Sequence, residues 1–343
     1  MIDFEQLSPD APAIILLCSS VVTDRVAGTT RPLGPRTWAK LSERLARQSF
    51  RGPQDLIGLT ADEIDRSLDV GGEEAARYAR LLERGGQLAF ELDRLRSRGI
   101  WVVTIADEAY PARLVERLGS DTPPVLFGSG EAAGLDRGGI AIVGSRDPDA
   151  AAVEFTERLA GAAARGGTSV VSGGARGIDV TAMRAAAVAN GSVVGVLPEG
   201  VERRLREGET RAAVASGRAV LVSPYHPGAA FSAGAAMGRN KIIYGLSDLA
   251  VVVSSAAGSG GTWTGALEAL DGGWVPLLIR DGPGVPDGNR VLIAKGGVPF
   301  PVEALAGDTV SVVDLLAFVA VGEPSVAEAS TPAPYEQQAL FDE

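Results

Sequence analysis

The residues best placed to do chemistry lie between Gly139 and Gly177. The chain reads GGIAIVGSRDPD, then an Ala-rich stretch, then TSVVSGGARGID, so two glycine turns each carry an arginine, Arg146 and Arg176. Glycines let backbone N–H groups approach an anion closely, and a helix start behind them adds a favourable dipole. Guanidinium forks match phosphate oxygens. A pair of sheet-edge salt bridges is the bland reading of the same arginines. Their position directly after glycine turns favours anion binding, with a nucleotide or a nucleic-acid backbone as the ligand.

Such turns need strands to hold them. From Ile140 onward IAIVG, SVVSG, SVVGVLP, AVLVSP, LAVVVSS and VPLLIR alternate with helical segments. Strands this apolar are buried on both faces, and the spacing fits crossover helices between parallel strands. The expected fold class is α/β, an extended, doubly wound, mostly parallel sheet preceded by a small all-helical domain. The expected boundaries are a helical domain over 1–97, the sheet domain over 98–320 and a tail over 321–343. In the helical domain Thr60 before ADEI reads as an N-cap with a carboxylate in the first turn. In such a sheet both glycine turns fall at one carboxyl edge, where ligands bind.

Composition narrows the setting. A net charge of −11 argues against a protein coated in basic residues, yet five of the acids lie in the tail after Val321, which has no lysine or arginine. A local arginine groove is compatible with that balance. The single cysteine, Cys18, allows no internal disulfide, and MIDFEQLSPD lacks a basic leader, so a cytoplasmic protein is expected. AIILLC is too short to span a bilayer. One histidine (His226, in SPYHPG) and one cysteine make no metal site, and no cofactor is expected.

Several segments, taken in order, resemble the DprA/Smf family of DNA-processing proteins. They are IADEAYPARLVERLGSDTPPVLFGSG, IAIVGSR, VSGGARGID, GRNKIIYGLSDLAVVV, GSGGTWTGALEAL and DGNRVLIAKGGVPF, within roughly residues 10 to 310. The resemblance implies an extended Rossmann domain that binds single-stranded DNA and hands it to RecA recombinase, in recombination or natural transformation, as a homodimer and without catalysis. Gly144, Ser145 and Arg146 match the first phosphate turn; Ser172, Gly173, Ala175, Arg176, Gly177, Ile178 and Asp179 match the second. Arg239 and Asn240 match the family's Arg-Asn pair, with Lys241 where an arginine is usual. Ser259, Gly260, Thr262 and Thr264 fall in a further turn.

The departures are specific. The family's Phe-Pro before its Arg-Asn pair is Ala236-Met237 here, which removes an aromatic candidate for base stacking. Phe231 lies nearby, at a different spacing. Met183, Leu205-Arg206 and Ser254 replace a family histidine, a Tyr-Pro and a glutamate. A nucleotide sensor using the same edge is therefore an open alternative. So is a nucleotide phosphoribohydrolase, because GSGGTWTGALE also resembles the glycine-threonine turn of cytokinin-activating phosphoribohydrolases. Glu268 would be its catalytic group, although it lies farther from the turn than that pattern has it. The tail segment Gln337-Gln338-Ala339-Leu340-Phe341 resembles short peptides that bind the bacterial sliding clamp, burying Leu340 and Phe341 while Gln337 bonds at the pocket edge.

Overall fold

Pro35, at the first position of its helix, starts a run in which Trp38, Leu41 and Leu45 fall on one buried stripe. The computed structural model describes residues 7–22, 30–48 and 50–322. Before the first strand it contains α1 (Ala11–Cys18), α2 (Pro35–Arg47), α3 (Ala61–Leu68), α4 (Gly72–Leu82) and α5 (Gly85–Ser97). The apolar stripes of these helices meet in one core that also takes in Phe127 and Leu221 of the sheet. Helices and sheet are thus packed directly against each other.

Thr60 caps α3 as the sequence predicts. Its hydroxyl accepts from the Glu63 N–H at 3.3 Å, and Glu63 accepts from the Thr60 N–H at 2.8 Å. This reciprocal pair satisfies two backbone donors that the helix itself cannot. Thr60→Ala is expected to cost about 1 kcal/mol, read as a lowered Tm in thermal unfolding.

The remaining elements form one nine-stranded sheet and its covering helices. The strands are β1 (Trp101–Thr104), β2 (Val125–Ser129), β3 (Ile140–Gly144), β4 (Val170–Ser172), β5 (Val193–Val196), β6 (Ala219–Ser223), β7 (Leu249–Ser254), β8 (Leu277–Ile279) and β9 (Val298–Pro299). The helices are α6 (Ala112–Leu118), α7 (Ala150–Arg165), α8 (Ile178–Val188), α9 (Val201–Leu205), α10 (Gly208–Ala215), α11 (Ala233–Leu246), α12 (Gly261–Gly272), α13 (Asp287–Ala294) and α14 (Val312–Gly322). Strand order is β1-β2-β6-β5-β4-β3-β7-β8-β9. The pairs β1–β2 and β2–β6 are antiparallel and the rest are parallel.

The two faces of β3 show how the sheet is buried. Ile140 and Ile142 belong to a core built with α7 and α8, while Ala141 and Val143 belong to another built with α6, α11 and α12. That alternation is the period-2 geometry of a strand covered on both sides. The chain steps from β3 outward to β6 and then returns to the other flank of β3 as β7. The carboxyl end of β3 is therefore a topological switch point, where a crevice opens between the diverging connections.

Candidate functional site

Two glycine turns and one helix start converge on that crevice. Gly144 ends β3 against the start of α8, so closely that a Cβ would lie 2.7 Å from Cγ1 of Ile178. The Ser145 N–H donates to Oγ of Ser254 at 3.1 Å, tying the first turn to the end of β7. The hydroxyl of Thr262 donates to the Gly144 carbonyl at 2.9 Å, bringing the first turn of α12 to the same point. The Ile178 N–H donates to the Ser145 carbonyl, and Nε of Arg176 donates to the Arg146 carbonyl at 3.2 Å. The predicted turns are locked to one another through their backbones.

Between them lies a cleft of about 390 Å³ lined by Gly144, Ser145, Arg146, Asp179, Arg239, Asn240, Ser259, Gly260 and Thr262, among others. A second depression of about 540 Å³ holds Arg146, Arg176, Gly177 and Arg204. The two share Arg146, so they adjoin at the carboxyl edge. Arg146 and Arg176 make no ion pair with a carboxylate among the described residues, so the salt-bridge reading of these two does not hold. Arg204 is less free, since it pairs with Glu199 at 3.0 Å and Glu207 at 3.3 Å.

Arg239 is the unusual member. It is only 2% exposed, and its Nε and Nη1 are buried with no hydrogen-bond partner. Its guanidinium lies against Gly173, where any Cβ would run into Nη1. Asp179, 6% exposed, is beside the same glycine and accepts from the Ala175 N–H at 3.4 Å. Burial pushes the Asp179 carboxyl above the usual carboxylate range, against the opposing pull of Arg239. Burial likewise draws the Arg239 guanidinium below its ordinary value, against the opposing effect of Asp179. Desolvation outweighs mutual attraction for both groups. A guanidinium still carries its proton at neutral pH, so the wall of the cleft holds a buried cation whose Nε and Nη1 have no hydrogen-bond partner among the described residues.

Other predicted residues have different roles. Asn240 lines the cleft but donates Nδ2 to the Gly261 carbonyl at 3.0 Å, which positions the α12 start. Ser172 is fully buried and its hydroxyl donates to the Ile142 carbonyl at 2.7 Å, so it braces β4 against β3. Lys241 points elsewhere, pairing with Asp121 at 3.3 Å, and does not line the cleft. GRNKII lies inside a helix: α11 begins at Ala233, capped by the Ser232 hydroxyl accepting from the Ala235 N–H.

Glu268 is exposed on α12 and is not among the cleft residues, so it sits where a structural helix glutamate would. Gln337, Leu340 and Phe341 lie outside the described residues. No group of three or more His, Cys, Asp or Glu side chains suited to a metal occurs among the described residues. No described helix is long and apolar enough to cross a membrane.

One residue outside the predicted set joins the site. The Phe231 ring lies under the Arg146 guanidinium, 5.7 Å from carbon to centroid. Its separation from Arg239 in sequence had pointed away from the cleft. The loop before α11 nevertheless brings it to the turn that carries Arg146.

Residues 101–282 match the family model of DNA recombination-mediator protein A. The chain belongs to this family. It is 33% identical over 180 residues to the DNA processing protein DprA of Bacillus subtilis, covering 52% of this chain and 60% of that protein. The chain spans between 51% and 66% of the length of the curated relatives it matches. The X-ray structure of DprA from Streptococcus pneumoniae superposes with a TM-score of 0.58 at 22% identity, over 83% of this chain and 98% of that one, a likeness of fold. A DprA structure from Helicobacter pylori, described for its single-stranded DNA binding mode, gives a TM-score of 0.48 at 21% identity, over 65% of this chain and 94% of that one.

Proposed function

We propose that the carboxyl edge of the sheet binds single-stranded DNA by its phosphates, protects it and delivers it to the RecA recombinase, without catalysis by this chain. The observation that carries this reading is the shared lining of the two depressions at Arg146, which makes the cationic tract longer than one nucleotide needs. Arg239, Arg146 and Arg176 would grip successive phosphates, and the backbone donors of the glycine turns would complete each contact. Asp179 steadies the second turn and balances Arg239. Function as a homodimer and contact with a sliding clamp through the tail are further parts of this proposal, resting on the resemblance alone.

A nucleotide sensor predicts a different result, because its ligand would fill only the cleft around Arg239. The test is affinity for thymidine oligonucleotides of increasing length, with thymidine monophosphate as competitor. For a strand, affinity rises with length until the tract is filled. For three phosphates, log K falls against log salt with a slope of about −2. Full affinity for the mononucleotide, with no gain from length, would sink the strand reading and leave the sensor.

A further inference from the structure

Phe231 is 47% exposed, whereas most of the other described aromatic residues are drawn into the cores. It stands immediately before Ser232, the cap of α11, at the rim of the cleft that α11 lines with Ala233, Ala236 and Met237. One side of its ring faces the Arg146 guanidinium. Met237, one turn into α11, is 50% exposed and supplies further apolar surface. An apolar rim beside a buried cation and several backbone donors is amphipathic, with anion-binding groups inside and an aromatic face outside.

That chemistry fits a ligand with a phosphate at one end and a flat apolar ring at the other. We propose that Phe231 is a base-stacking platform: it takes one nucleobase on its open face while Arg146, held on its other face, takes an adjoining phosphate. The arrangement makes a stack of guanidinium, phenyl ring and base. Every base has a π-face, so the subsite selects for a base without choosing among them. The attraction between guanidinium and ring also limits the swing of an exposed arginine, keeping Arg146 at the junction of the two depressions. The inference rests on the strand reading of this edge and adds to it a base contact that phosphate-directed groups cannot supply.

Two strands of equal length separate the possibilities, one of thymidines and one abasic with the same phosphates. Phe231→Ala is expected to lose about fivefold to a hundredfold in affinity for the thymidine strand and only the smaller share owed to the placing of Arg146 for the abasic strand. Phe231→Tyr retains the wild-type affinity for both. Unchanged thymidine-strand affinity in Phe231→Ala would overturn the proposal while leaving the strand reading intact. An equal loss on both strands would also overturn it, since Phe231 would then act only by positioning Arg146. If the wild-type protein binds neither strand, the strand reading itself fails and this subsite with it.

Discussion

Arg239→Met should abolish most strand binding and, in the same molecule, make stability more sensitive to alkaline pH. The binding loss follows from the two unpartnered donors of a side chain that is 2% exposed. A hydrogen bond to a charged group contributes roughly 1.5–3 kcal/mol, so losing this contact should weaken the oligonucleotide about 100-fold. Methionine fills most of the volume of the arginine stem, so the cavity left behind is small. The stability effect runs through Asp179. Its folded-state pKa is already raised by burial, and Arg239 is the strongest influence opposing that rise. Without the guanidinium the folded value climbs further. A carboxyl with a raised folded pKa contributes stability that is complete below its unfolded value and is lost as pH rises through the folded one. The Tm deficit of the variant should therefore grow as pH rises above the ordinary carboxylate range. Adding Asp179→Asn should flatten that dependence. A deficit independent of pH would reject the coupling, and undiminished oligonucleotide affinity would reject Arg239 as a phosphate ligand.

How much of this was readable before the fold was known depends on what each residue signals locally. Apolar runs such as LAVVVSS mark buried strands by type alone, and the glycine turns with their arginines mark the carboxyl edge of a parallel sheet. Strand β9 escapes because two residues, Val298 and Pro299, leave no periodic pattern. The start of α11 was obscured because Ala233, Gly234, Ala235 and Ala236 carry little amphipathic signal; Ser232 as an N-cap was the available cue. Without that start the helix phase cannot be read from the sequence. Arg239 and Lys241 are two positions apart in a helix interior, so they point to different sides. One enters the cleft and the other reaches Asp121. Ser172 matched a family position, yet a strand-end serine under a neighbouring strand spends its hydroxyl on a backbone carbonyl. The Phe231 contact depends on the path of the loop before α11, and sequence distance from Arg239 carries no information about that path.

Gly177→Ala is expected to be the most damaging single methyl that can be added to the site. Gly177 has φ +87° and ψ −130°, a region that side-chain-bearing residues rarely enter, and it directly precedes the first residue of α8. A Cβ there would also run into the Ser145 carbonyl oxygen and lie 2.8 Å from Cα of Arg146. Those atoms are backbone, and the same Ser145 carbonyl accepts from the Ile178 N–H, so relief requires the two glycine turns to separate. Strain and displacement together should cost on the order of 3 kcal/mol. Gly167 offers the control, since its φ is +74° but nothing lies within 4 Å of its Cβ direction. Gly167→Ala should therefore show the conformational penalty alone, about 1 kcal/mol. Chemical denaturation of both variants measures the difference, and oligonucleotide affinity under native conditions shows where it acts. Gly177→Ala moves the Arg146 turn away from Arg176 and should lose strand affinity even where it remains folded, whereas Gly167→Ala keeps it. Equal stability losses in the two variants would mean that the turns yield to each other freely. The phosphate edge would then not be the preorganised structure that its hydrogen bonds describe.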